Sequence, residues 1–124
     1  MSCRRGGNMK PTEHQIQTAI IQYLRHKGFY VQRMNSGKYA MGEGRSRRFI
    51  HGVDAGTPDI MAFKETWIGP KEAQMKAVDL LFIEVKRPGN KPTALQKAKM
   101  EELEEHGAKC YVATSVEDIQ ALGI

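Results

Sequence analysis

The sequence predicts an α/β fold in which a mixed central sheet is flanked by helices. Two segments carry apolar residues at helical spacing, and each begins with a threonine followed three residues later by glutamine, the pattern of a capping box. Four short runs rich in β-branched and aromatic residues predict strands. The predicted order is α-β-β-β-α-β-α, and the chain has no internal repeat.

Each element follows from a local signal. The first capping box starts a helix predicted at 13–27, and the second, at Thr93 and Gln96, starts a helix that Gly107 ends. Ser115 caps a short final helix. The strands are predicted at 29–34, 58–64, 79–86 and 108–114. The glycine-rich segment from Asn35 to Thr57 is predicted as a long loop, and 65–78 as a connector without assigned structure.

Composition limits the class of protein. The 124 residues fit a flexible basic tail over 1–10 and one domain over 11–124. No apolar run is long enough to span a bilayer and no secretion signal is visible, so we expect the cytoplasm, or the host cytoplasm if a phage encodes the chain. The net charge of +5 favours a polyanionic partner such as DNA or RNA.

Charged residues interrupt two of the predicted strands. Glu84 and Lys86 lie two apart in "LLFIEVKRPG", so they share a face, and Asp59 in "GTPDIMAFK" reaches the same place if the two strands pair. Two converging carboxylates form a hard-oxygen site for Mg²⁺ or Mn²⁺. The adjacent ammonium can hold a nucleophilic water or stabilise charge on a phosphate. The alternatives are a turn acid at Asp59 and a solvated ion pair at Glu84 and Lys86.

The other candidates come from the first helix and from basic segments. Glu13 is in register with the apolar stripe of its helix, so it either points into the site or stabilises the helix N-terminus electrostatically. The candidate phosphate contacts are the basic residues of the long loop and of the turn after the third strand: Lys38, Arg45, Arg47, Arg48, Arg87 and Lys91.

Taken together, "GTPDIMAF", "FIEVKRPGNKPTALQ" and "CYVAT" resemble the VRR-NUC domain, the virus-type replication-repair nuclease branch of the PD-(D/E)XK superfamily. The similarity runs from about Thr12 to Ser115. It implies a restriction-endonuclease-like αβββαβ core and a DNA nuclease that depends on Mg²⁺ or Mn²⁺. It also implies roles for six residues: Asp59, Glu84 and the Val85 carbonyl as metal ligands, Lys86 as the catalytic lysine, Glu13 as a helix-borne acid, and Gln96 as a site-facing residue. The capping pattern alone would confine Gln96 to its box with Thr93.

The resemblance further implies a partner and an assembly. Small members of the family resemble Holliday-junction resolvases, so we expect an endonuclease rather than an exonuclease, acting in DNA replication or repair as a homodimer on branched DNA. The loop from Asn35 to Thr57 would touch the partner or the junction. Two alternatives stay open: a non-catalytic module that binds DNA structures through the basic residues, and a small sequence-specific restriction endonuclease.

Overall fold

The computed structural model describes residues 10–34, 38–41 and 48–124, with the backbone alone for 38–41 and 48–51. Within these ranges the helices are α1 (Glu13–His26), α2 (Ala94–Glu105) and α3 (Val116–Ala121). The strands are β1 (Tyr30–Arg33), β2 (Lys38–Met41), β3 (Arg48–His51), β4 (Ile60–Ile68), β5 (Met75–Val85) and β6 (Lys109–Ala113). None of the described helices is long and apolar enough to cross a membrane.

A four-stranded mixed sheet in the order β1-β4-β5-β6 confirms the predicted fold class. The neighbours β1 and β4, and β4 and β5, run antiparallel, whereas β5 and β6 run parallel. A parallel pair requires a crossover connection, and α2 provides it between β5 and β6. The long strands β4 and β5 therefore form the centre of the sheet.

The core lies on the sheet face that α1 and α3 cover. The apolar stripe of α1, the inward residues of the sheet and one residue of α3 form one buried cluster, which comprises Ile16, Ile20, Ile21, Leu24, Val31, Ile60, Ala62, Ile83, Val85, Ala113 and Ile119. Alternate residues of β5 point to this face, so the residues between them face the opposite side. This alternation directs Phe82 and Glu84 away from α1.

Both predicted capping boxes are confirmed. In α1 the backbone amide of Gln15 donates to Thr12 Oγ1 at 3.1 Å, and the Thr12 amide donates to Gln15 Oε1 at 2.9 Å. In α2 the same two bonds join Thr93 and Gln96, at 3.2 and 2.9 Å. Each box satisfies two backbone donors that a helix start would otherwise leave unpaired.

The prediction of a continuous loop over 35–57 was wrong. The backbone of β2 and β3 forms a separate antiparallel pair in which Tyr39 is opposite Ile50. Each strand has only four residues, glycine flanks β2 on both sides and follows β3, and the sequence therefore offers too short a run for alternation to be recognised. Residues 35–37 and 42–47 lie outside the described part of the chain.

The segment 65–78 also has a regular structure that the sequence analysis did not assign. It extends β4 and β5 into a hairpin, paired continuously from Ile60 opposite Ile83 to Ile68 opposite Met75. Its charged and apolar residues are exposed on both faces, so the in-and-out pattern that reveals a half-buried strand is missing. Pro58 and Asp59, predicted to open the strand, instead precede it.

Gly56, directly before the Thr57-Pro58-Asp59 segment, occupies a position that requires glycine. Its φ is +87°, a left-handed conformation that L side chains adopt at a cost, and a Cβ there would lie 2.9 Å from Leu95 Cγ and 3.0 Å from the Leu95 carbonyl oxygen. The turn before Asp59 therefore packs directly against the first turn of α2.

We expect Gly56→Ala to lower the free energy of unfolding by about 2 kcal/mol or more, because it adds a steric conflict to the strained φ. Gly89→Ala is the matched control, since Gly89 has a φ of +92° but no atom within 4 Å of the place that an added methyl group would occupy. It should cost about 1 kcal/mol. Urea denaturation of both variants measures the difference, and equal losses would refute the packing argument.

Candidate active site

Strand register brings Asp59 beside Glu84. Ile60 is opposite Ile83 in an antiparallel pair, so the next residues outward, Asp59 and Glu84, are neighbours on the face away from α1. Asp59 Oδ2 accepts a hydrogen bond from the Val85 backbone amide at 2.8 Å. The carbonyl oxygen of Asp59 accepts another from the Met34 amide at 2.7 Å. The residue is thus held between Val85, the last residue of β5, and Met34, which follows β1.

Glu84 is a buried carboxylate with incomplete hydrogen bonding. The residue is 2% exposed, and its Oε1 atom has no hydrogen-bond partner within the described residues. Its other oxygen, Oε2, lies 3.8 Å from Lys86 Nζ. Leaving a buried polar atom without a hydrogen bond costs free energy. A ligand that contacted this oxygen would remove that cost. The burial excludes the solvated ion pair considered from the sequence.

The two carboxyl groups perturb each other. Burial first, and then the negative charge of Asp59, raises the pKa of Glu84 to about 8, while the Lys86 ammonium opposes the shift. Burial also raises the pKa of Asp59, against the hydrogen bond from the Val85 amide. The raised pKa favours a proton on Glu84 at neutral pH. A cation in this place would compete with that proton.

The donor set fits Mg²⁺ or Mn²⁺. Both ions prefer oxygen ligands, and Mg²⁺ usually keeps several waters while binding one or two carboxylates. In the described ranges no group of three or more His, Cys, Asp or Glu side chains could surround an ion, so protein carboxylates alone would not enclose it. Asp59 and Glu84 would therefore leave coordination positions for water and for phosphate oxygens.

Lys86 is fixed next to the carboxylates. It follows the last residue of β5, and its backbone amide donates to the Ala113 carbonyl of β6 at 3.0 Å. Its side chain is only 12% exposed, which limits the positions that the ammonium can take. A cation held beside two acids can meet an anionic group that approaches them.

Glu13 is near the pair, as one of the two sequence interpretations required. It is the half-buried first residue of α1, and its charge contributes to the raised pKa of both Asp59 and Glu84. It also occupies the first helical turn, where an acid is favoured electrostatically. Both interpretations are compatible with this placement, and a catalytic role for Glu13 stays a prediction.

Gln96 occupies the position that the capping pattern predicts. Its side-chain oxygen accepts from the Thr93 amide, so that atom is engaged at the start of α2. The residue is half-buried. Its role as a site-facing residue stays a prediction.

The basic candidates divide into two groups. Arg87 and Lys91 are exposed on the turn that follows Lys86, so they lie next to the site along the chain. The side chains of the other four are outside the described part of the structure: Lys38, Arg45, Arg47 and Arg48. Sequence reasoning missed the Val85 amide as the group that orients Asp59, because a backbone donor leaves no signal in residue type.

The raised pKa of Glu84 predicts a pH-dependent stability in metal-free buffer. Between about pH 4.5 and about pH 8 the folded state keeps a proton that the unfolded chain has released, so the free energy of unfolding should fall as pH rises. We expect Glu84→Gln, which cannot ionise, to flatten this dependence. Urea unfolding at pH 5, 6, 7 and 8 in the presence of a chelator measures it. An identical slope in the variant and the wild type would contradict the assignment.

Comparisons with known proteins agree with the fold and identify the family. The family profile of the VRR-NUC domain matches residues 11–117. A solved structure described as "VRR_NUC domain" shares the fold, with a TM-score of 0.56 and 23% identity, covering 89% of this chain and 91% of that chain. A search of curated proteins returned no match. The chain belongs to the VRR-NUC domain family and is a nuclease-type, DNA-processing domain.

Proposed function

We propose that this chain hydrolyses DNA phosphodiester bonds with the help of Mg²⁺ or Mn²⁺. The observation that carries the proposal is the buried Glu84 carboxylate, whose Oε1 has no partner in the described structure and whose neighbour Asp59 also has a raised pKa. Two carboxylates at one place would repel a polyanion that met them directly, whereas they suit a divalent cation. Asp59, Glu84 and the Val85 carbonyl would hold it.

The metal ion and the chain's own groups would have separate roles in hydrolysis. The bound ion would lower the pKa of an attacking water and offset the charge that develops on the phosphate. The Val85 amide keeps Asp59 in one orientation, which preorganises the ligand set. The Lys86 ammonium, close to Glu84, would orient the water or stabilise the negative charge of the transition state. Arg87 and Lys91 would contact the DNA backbone nearby.

We further propose an endonuclease that acts on branched DNA as a homodimer. A net charge of +5 over 124 residues gives one copy a modest electrostatic grip on DNA. Two copies double the phosphate contacts and set two sites at a fixed spacing, as a symmetric four-way junction requires. Twofold dimers are the commonest soluble homo-oligomers.

Asp59→Asn and Glu84→Gln should each abolish cleavage of a four-way junction in Mg²⁺ or Mn²⁺. Both replacements keep the size of the side chain but remove the charge that binds the ion, and they also remove repulsion towards phosphate. DNA binding measured in the same buffer should therefore be unchanged or tighter.

The matched control is Asp79→Asn, which removes a β5 acid from an ion pair with Lys109 that is partly exposed to solvent. It should cleave at the wild-type rate. Wild-type cleavage by either Asp59→Asn or Glu84→Gln would refute the assignment of the site.

Lys86→Met should reduce the cleavage rate by about 10² or more, the range typical of a positioned electrostatic or acid–base group. Metal affinity should not fall, because an ammonium is not a ligand. A single-turnover assay and a Mn²⁺ titration test the two halves, with Lys109→Met as the control at an exposed lysine. Normal turnover by Lys86→Met would make this lysine a structural residue only.

A further inference from the structure

The outer half of the β4–β5 hairpin lies beyond the rest of the sheet. We name residues 64–79 the outer ribbon. Among the described pairings, β1 reaches β4 only as far as Phe63, and β6 reaches β5 only from Leu81. The two strands of the ribbon are therefore paired with each other alone. Two strands that pair only with each other gain little stability from further neighbours and expose free backbone edges, which favours contact with another surface.

One face of the ribbon and of the adjoining sheet exposes aromatic and aliphatic side chains. Phe63, Trp67 and Val78 share a face by strand alternation, and Tyr30 of β1 stacks on Phe63 with 4.9 Å between ring centroids. We call Tyr30, Phe63, Trp67 and Val78 the apolar face. Three of them are large and more than half exposed: Tyr30 at 54%, Trp67 at 56% and Val78 at 59%. Large apolar side chains exposed together on one face are typical of an interaction site.

The described helices do not cover this face. It is the face that also carries Phe82 and Glu84, opposite the α1 core. On this side α2 packs against β6, where Cys110 Sγ donates to the Met100 carbonyl at 3.5 Å. The apolar face lies on the far side of β5 from that contact, and the exposed fractions show that it is open to a partner.

The charge of the ribbon indicates which kind of partner can bind it. Its three lysines are balanced by three acids, giving no net charge: Lys64, Lys71 and Lys76 against Glu65, Glu72 and Asp79. The whole of the +5 therefore resides on the rest of the chain. A surface without net positive charge is a poor contact for phosphates, which argues against nucleic acid here.

The same balance favours a second copy of this chain. Two molecules of charge +5 repel each other, and the repulsion is smallest when they meet through surfaces without net charge. On the apolar face, Glu65 and Lys76 form an ion pair at 2.9 Å between Trp67 and Val78, so the patch carries both signs around its apolar residues. A patch that carries both signs of charge can face the same patch on a second copy, as contact across a twofold axis requires.

We propose that two copies pair through the apolar face of the outer ribbon. This inference rests on the proposed function, in which a dimer acts on branched DNA, and it names the pairing surface. Trp67, in β4, is eight residues beyond Asp59 along the chain, about 27 Å at the usual rise of a strand, and Phe63, which is nearer the site, is four residues beyond it. Pairing at the ribbon therefore leaves the carboxylates of each copy open to DNA.

Trp67 provides the test, because it is the only tryptophan in the chain. In buffer without DNA or divalent metal, its fluorescence maximum should move to shorter wavelength as protein concentration rises. The shift should follow the change from monomer to dimer mass measured by light scattering. The measurement needs no catalysis, so a dimer that fails to cleave DNA would refute the nuclease proposal and leave this inference standing.

The variant Val78→Lys keeps Trp67 as the fluorescent reporter and places a charge in the apolar face. We expect its dimer dissociation constant to rise at least tenfold. The control is Leu122→Lys, at an apolar residue of similar exposure, 46%, after α3 and outside the ribbon; it should dimerise as the wild type does. Circular dichroism and thermal melting should show that both variants are folded.

Three results would overturn the inference. The first is a monomer mass with constant Trp67 emission across the micromolar range. The second is a dimer that Val78→Lys does not weaken, which would place the contact elsewhere. The third is a monomer whose Trp67 emission changes on addition of four-way DNA and returns with added salt, which would assign the apolar face to nucleic acid.

Discussion

The approach of the Asp59 and Glu84 carboxylates is the interaction on which the rest of the site depends. Two acids in neighbouring strands are removed from water, and burial raises the pKa of both. A buried charge without compensation is strongly unfavourable. The structure provides partial compensation from the Val85 amide and the Lys86 ammonium, and it leaves Glu84 Oε1 without a partner in the described residues. A proton or a divalent cation would complete the compensation of the two buried carboxylates.

The surrounding fold holds this pair in place. The apolar residues of β5 that alternate with Glu84 are locked against α1, so the strand cannot slip without exposing its core face. The parallel neighbour β6 binds the Lys86 amide through Ala113. On the other side, Gly56 lets the turn before Asp59 approach α2 more closely than any other residue would permit. Rigid elements thus position each charged group, which is the condition for a preorganised site.

Sequence reasoning predicted the convergent groups because they follow simple periodicities. Residues two apart in an apolar strand share a face, which placed Lys86 with Glu84, and the helix starts followed from Thr12 and Thr93. The contact with Asp59 required a strand pairing that the sequence suggested but did not specify. The outer ribbon went unassigned because exposure on both faces removes the alternation, and β2 and β3 are too short to show one. Long-range proximity, such as that of Glu13 to the pair, cannot be read from local patterns at all.

The most direct test of the central claim is the number of protons released when the metal binds. With a pKa of about 8, Glu84 is largely protonated at pH 7, so binding of Mg²⁺ or Mn²⁺ should release about one proton per ion. Titration calorimetry at pH 7 in two buffers of different ionisation enthalpy counts that proton. Metal binding without proton release, or no binding by the wild type, would contradict the account.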